Sequence, residues 1–99
     1  MEVWYILCPR DSKAPSNVDV VKCEESDKIA NFRQRVLLSN PSRLVGIDAS
    51  QLDVTEDGQD ETICDGRKKL SYYENAGKEE HPFIILYQPG QGNLLGATS

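Results

Sequence analysis

Ninety-nine residues leave room for one domain and one modest core, because a chain of this size buries only about 60–65% of its unfolded surface on folding. Hydrophobic residues make up 38% and charged residues 27%. The apolar ones fall in short runs, which argues against a wholly disordered chain. The net charge of −5 and a pI near 4.7 oppose attraction to phosphate backbones, so DNA and RNA are not expected as direct partners.

Glu2–Cys8 predicts a first strand, with Val3, Tyr5 and Leu7 on one face and Trp4, Ile6 and Cys8 on the other. Both faces are largely apolar, so periodicity leaves open which one meets the core. Trp4 either packs over a sheet edge or meets a partner. The turn formers Pro9, Asp11, Ser12, Pro15 and Ser16 lead into a second strand over Asn17–Lys22, where Val18 and Val20 alternate with Asp19. That pattern is a hairpin with a long loop. Ser26 or Asp27 is placed to cap a helix over Asp27–Ser39, whose Ile29, Phe32 and Val36 share one side with Leu37 nearby. Asn40-Pro41 ends it, since proline cannot continue the ladder and disfavours the helical region for the residue before it.

Val45-Gly46-Ile47-Asp48-Ala49 reads as an irregular connection, followed by a short half-buried strand over Gln51–Thr55 with Leu52 and Val54 inward and Asp53 outward. Glu56–Gly66 is acidic and rich in turn formers. Arg67–Ala76 holds a helical turn or a strand around Leu70, Tyr72 and Tyr73. In the closing strand, Pro82–Tyr87, the run Phe83-Ile84-Ile85-Leu86-Tyr87 is apolar on both faces, the pattern of a central strand. This order predicts an α+β fold, a ubiquitin-like β-grasp: a mixed sheet of four to five strands, first and last adjacent and parallel, with one main helix across it. The domain is expected over residues 1–89, with Gly90–Ser99 as a small-residue tail or linker.

The longest apolar runs, Val3–Cys8 and Phe83–Tyr87, fall far below the roughly 20 residues of a membrane-spanning helix, and Met1-Glu2-Val3-Trp4-Tyr5 lacks the basic region of a secretory signal. Neither a span nor a targeting segment is expected. Three cysteines leave at least one unpaired. Cys8 lies beside the hairpin turn and Cys23 at the far end, beyond the roughly 7 Å that a disulfide allows between Cα atoms. Reduced thiols are expected, which suits cytosolic residence.

No catalytic, cofactor-binding or metal site emerges. His81 is the one histidine, so no paired-histidine metal motif can form. Cys64 with His81 as its base is arithmetically available, but no neighbouring residue marks the thiol as activated. Asp53, Thr55, Asp57 and Gly58 fit the first positions of a calcium loop, yet Cys64 stands where the bidentate glutamate belongs. Gly90-Gln91-Gly92 opens no helix, and proline occupies the middle of Asn40-Pro41-Ser42, which removes a glycosylation signal. Charge is uneven. Carboxylates gather between Asp48 and Asp65 and at Glu79 and Glu80, while Lys28, Arg33 and Arg35, with Arg43 just beyond, form the candidate basic face for a protein partner.

The hairpin, Asp27–Leu38, Gly46-Ile47-Asp48-Ala49-Ser50-Gln51-Leu52 and His81-Pro82-Phe83-Ile84-Ile85-Leu86-Tyr87-Gln88-Pro89 together resemble the N-terminal ubiquitin-like header domain of Crinkler effectors from oomycetes and some fungi. The resemblance implies a non-catalytic N-terminal domain that directs secretion and delivery to host cells, where a separate C-terminal domain acts. Its trafficking hallmark, Leu-Phe-Leu-Ala-Lys, aligns with Leu52-Asp53-Val54-Thr55-Glu56; Leu52 is identical and Val54 keeps apolar character. The other reading is a generic intracellular ubiquitin-like interaction module, cytoplasmic and not conjugated, because Gly96-Ala97-Thr98-Ser99 offers no diglycine. A small thiol-dependent enzyme is the third. A protein partner, or weak self-association, is the expected company.

Phe32→Asp sets an unpaired charge among the helix's core-facing residues and is expected to abolish cooperative folding. A thermal melt close to that of the parent chain contradicts this.

Overall fold

The computed structural model describes residues 1–10, 18–73 and 75–88. The hairpin-loop residues from Asp11 to Asn17 and the segment Pro89–Ser99, including the expected tail, lie outside the described residues. Four strands are present: β1 (Glu2–Pro9), β2 (Asp19–Lys22), β3 (Asp53–Thr55) and β4 (Phe83–Tyr87). One α-helix, α1 (Ile29–Ser39), and 3-10 turns at Ala49–Gln51, Asp60–Thr62 and Leu70–Tyr73 complete the α+β architecture.

The strands form one mixed sheet in the order β2-β1-β4-β3. β1 runs parallel to β4, from Tyr5 opposite Phe83 to Pro9 opposite Tyr87, while β2 and β3 flank them antiparallel. First and last strands therefore share the centre. This arrangement is compatible with a β-grasp.

The face that periodicity left open is decided by the helix. Val3, Tyr5 and Leu7 of β1 and Phe83, Ile85 and Tyr87 of β4 are buried with Ile29, Phe32 and Val36 of α1. Phe32 is the keystone of this packing: its ring meets Tyr5 edge-on at 6.0 Å and Phe83 at 5.4 Å between centroids. Leu44, Ile47 and Leu52, from the connection after α1, close one end of the core. On the opposite face Trp4, Ile6, Cys8 and Ile84 are half-buried. The 56–64 loop covers part of that face, because the Gly58 N–H donates to Thr55 Oγ1 at 2.8 Å and the Cys64 N–H to the Val54 carbonyl at 2.7 Å.

The helix start departs from the sequence-based expectation. Neither Ser26 nor Asp27 caps it; Lys28 stands at the N-cap and its ammonium has no lone pair with which to accept a backbone N–H. The orphan N–H groups of Ile29 and Ala30 donate instead to the carbonyls of Lys68 and Gly66, at 2.9 and 3.0 Å. The Leu70 N–H returns a bond to the Asp27 carbonyl at 2.9 Å. A segment far downstream thus takes up the first two helical N–H groups, and the local contribution is the Lys28 N–H donating to Asn31 Oδ1 at 2.9 Å. The Asp27 carboxylate turns to the Glu24 N–H and to Arg35, each at 2.9 Å. At the other end Asn40 donates from Nδ2 to the Val36 carbonyl at 2.8 Å and to Tyr5 Oη at 2.9 Å, so the residue before Pro41 both closes α1 and ties it to β1.

The third strand is shorter than Gln51–Thr55. Asp48 accepts from Ser50 and Gln51 Oε1 accepts from the Asp48 N–H at 2.7 Å, a capping box that winds Ala49–Gln51 into a 3-10 turn before the chain extends. Arg67–Ala76 resolves as the 3-10 turn Leu70–Tyr73, not a strand.

Gly77 is the tightest backbone approach to the sheet. Its φ is +81°, its carbonyl accepts from the Trp4 N–H at 2.9 Å, and an added Cβ sits 2.8 Å from the Phe83 ring and 3.2 Å from Val3. Gly77→Ala combines left-handed strain with overpacking of a buried ring, and is expected to cost about 2–4 kcal/mol, read as a lower urea midpoint with unchanged slope. A midpoint equal to the parent's sinks this account of the contact.

Candidate functional site

A cleft of about 610 Å³ opens at the start of β1. Five segments build it: β1 supplies Val3, the turn before α1 supplies Glu25 and Ser26, the 3-10 turn supplies Leu70, the turn pinned by Gly77 supplies Ala76, and β4 supplies Phe83. Val3, Leu70, Ala76 and Phe83 form an apolar floor. Glu2, Glu25, Lys69 and Lys78 stand on the rim, two carboxylates and two ammonium groups. An apolar floor under a mixed-charge rim suits the side chain of a protein partner, whose apolar part leaves water while its flanks find ion pairs. The cleft lining holds no cysteine or histidine among the described residues.

The candidate basic face divides. Arg33 and Arg35 are two residues apart on α1, about 200° around the helix. Arg35 donates through Nε to Asp27 at 2.9 Å. Asp27 is held below the usual carboxylate range, first by the Glu24 N–H and then by Arg35. Arg33 is half-buried, and its guanidinium lies over Gly66, where a Cβ would fall 2.4 Å from Nη2. Lys28 occupies the helix N-cap and bridges to Lys69 through the backbone. Lys28 and Arg35 share a side, seven positions apart; Arg33 belongs to the wall against the 66–70 segment.

Leu52-Asp53-Val54-Thr55-Glu56, the segment aligned with the trafficking hallmark, is mostly interior. Leu52, Val54 and Thr55 are buried. The Thr55 hydroxyl donates to the Ile84 carbonyl at 2.7 Å. Asp53 pairs with Arg10 at 2.7 Å, and Arg10 reaches Asp60 at 2.9 Å with its other terminal nitrogen, joining the end of β1 to β3 and the loop beyond. Glu56 is half-buried.

Asp57, in the acidic loop after β3, turns inward on the loop's own structure. It accepts from the Thr62 hydroxyl at 2.5 Å and from the Gln59 N–H at 3.1 Å, and the first of these does most to hold it below the usual carboxylate range. These bonds fold the turn. Among the described residues no group of three metal-ligating side chains is gathered, and no helix is long and apolar enough to cross a membrane.

Cys8, Cys23 and Cys64 are free thiols. Cys64 is buried, and burial, assisted by the charge of Glu56, pushes its pKa up to about 12. His81 lies exposed on the turn before β4. Burial holds the Cys64 thiol protonated, and His81 is not among the groups that act on it. Burial also raises Cys23 and Tyr5.

The cleft itself escaped the sequence. Leu70 and Ala76 sit in a stretch with no periodic signal, and the one local hint is Gly77 in a turn-rich context. Neither a protein-family model nor a curated protein matches this chain.

An unfolded thiol ionises near about pH 8.5, whereas folded Cys64 keeps its proton to about 12. Between those values the unfolded chain has lost a proton that the folded chain retains, so stability is full below the lower value and falls as pH rises, by up to about 1.4 kcal/mol per pH unit. Urea melts at about pH 8 and about pH 10 are expected to show a smaller loss for Cys64→Ala than for the parent chain. Equal losses contradict the assignment.

Proposed function

We propose that this chain is a ubiquitin-like β-grasp module that works by binding another protein and performs no chemistry, and that it serves as the N-terminal delivery domain of a Crinkler-type effector, secreted and directed to host cells. The observation that supports the fold half of this reading is the sheet order, with β1 and β4 parallel at the centre and α1 across one face. Resemblance of four segments spread along the chain supports the delivery half.

Binding in place of catalysis has its own support. The buried Cys64 thiol, with its raised pKa, is a poor nucleophile at neutral pH. The cleft at the start of β1 offers apolar surface and paired charges, which recognise but do not transform.

One observation favours the second reading, a generic intracellular ubiquitin-like interaction module that is not conjugated. Leu52, Val54 and Thr55 of the trafficking-like segment are core residues. A receptor has only Asp53 and Glu56 to read there unless the strand leaves the sheet.

A fusion of residues 1–99 to a reporter that signals only in host nuclei, expressed in an oomycete during infection, separates the two. Signal in host nuclei is expected, and it is expected to survive Asp53→Ala combined with Glu56→Ala. Reporter retained in the pathogen, with the fusion folded, removes the delivery role and leaves the interaction module.

A further inference from the structure

Among the described residues the outer edge of β2 has no neighbouring strand, and it offers a second recognition feature, unlike the cleft. The Cys23 N–H donates to the Met1 carbonyl at 2.7 Å and the Met1 amino group to the Cys23 carbonyl at 2.5 Å, so these two form a hydrogen-bonded pair. Alternation along an antiparallel ladder then makes Val3–Val21 and Tyr5–Asp19 hydrogen-bonded pairs too. Val20 and Lys22, opposite Trp4 and Glu2, aim their backbone groups away from β1. β2 is the terminal strand of the sheet, and the Val20 N–H is taken by the Asp19 carboxylate at 2.8 Å. The Val20 carbonyl and both backbone groups of Lys22 face outward.

Beside this edge runs a groove between β2 and α1, of about 360 Å³, lined by Val20, Val21, Lys22, Arg35, Leu38 and Ser39. Its lining carries two cations and no carboxylate among the described residues, in a chain of net charge −5; Arg35 gives its Nε to Asp27 and keeps its two terminal nitrogens for the groove. Leu38 is 72% exposed and Val18, just before the strand, 41%. Large apolar side chains that open to water are uncommon next to an open strand edge, which native proteins usually blunt.

The geometry points to strand addition: an extended, acidic-aliphatic peptide segment of a protein partner pairs with Val20 and Lys22 and lays an aliphatic side chain on Val21 and Leu38. Alternation fixes the rest of the chemistry. Residues i and i+2 of the added strand share the helix-side face, so a carboxylate two places from the aliphatic residue meets Arg35. The residue next to that carboxylate points to the other face, where an acid meets Lys22. A second copy of this chain is the poorer occupant, because its own edge brings the same cations. The inference rests on the interaction-module reading and names the partner's chemistry.

The test is titration of the isotope-labelled full chain with acetyl-Glu-Asp-Val-Ile-Val-amide, followed by amide NMR. Saturable shifts are expected at Val20, Lys22 and Leu38, with the lysine-for-acid peptide acetyl-Lys-Lys-Val-Ile-Val-amide failing to saturate. Leu38→Glu is expected to weaken binding about tenfold, the worth of one partly buried aliphatic contact. Its melting temperature should stay at the parent value, since the side chain is exposed. No saturable shift, equal binding of both peptides, or shifts that appear on concentrating the protein alone each overturn the inference. Shifts confined to Val3, Leu70 and Gly77 also overturn it, while leaving the chain a protein-binding module.

Discussion

The parallel pairing of β1 with β4 joins the start of the chain to the last strand, and the other elements take their places around it. Tyr5 sits opposite Phe83 across that pair, and Phe32 of α1 packs on both rings. A parallel pair needs a long crossover, and here the crossover contains almost everything else: β2, α1, three 3-10 turns and β3. Burial on both faces explains why β4 is continuously apolar and β1 nearly so. The helix covers one face. The other is closed in part by the 56–64 loop, whose bonds through Thr55 reach the Ile84 carbonyl.

Among the described residues only β1 is a long strand, the other three having three to five residues, and the loops do work that caps and strands do elsewhere. The 66–70 segment satisfies the N–H groups at the start of α1, and Gly66 leaves space for the Arg33 guanidinium against it. Gly77 does the same for the sheet, bringing its carbonyl to the Trp4 N–H over Phe83. Between these two anchors lie Leu70 and Ala76. The cleft follows from the anchoring, because both residues line it together with Val3 and Phe83 of the sheet.

The polar side chains are largely engaged with their own surroundings. Thiols are buried or half-buried, and Asp57 of the acidic loop turns its oxygen atoms to the loop's own N–H and hydroxyl groups. What faces outward is apolar surface bordered by charge in two places, at the start of β1 and along β2. The two differ in kind: the cleft fits a side chain, and the β2 edge fits a backbone.

The α+β class, the helix with Ile29, Phe32 and Val36 inward, and the central place of the last strand were legible in the chain, because they depend on local periodicity and on β4 lacking a polar face; its adjacency to the first strand was expected from the β-grasp pattern of elements. The stop at Asn40-Pro41 was legible for the same reason, being a property of proline itself. The helix start, the shortened β3 and the split of Arg33 from Arg35 were not. Each is set by a partner outside the local pattern or by rotation about the helix axis: carbonyls of Gly66 and Lys68, the Asp48–Gln51 box, the Asp27 carboxylate. Leu52, Val54 and Thr55 show the division most plainly. Alternation marked Leu52 and Val54 as inward, but Thr55, on the opposite face, is buried only because the acidic loop folds back over it and its hydroxyl finds the Ile84 carbonyl. Side-chain periodicity is encoded residue by residue, whereas which loop lies over a strand depends on the whole chain having closed.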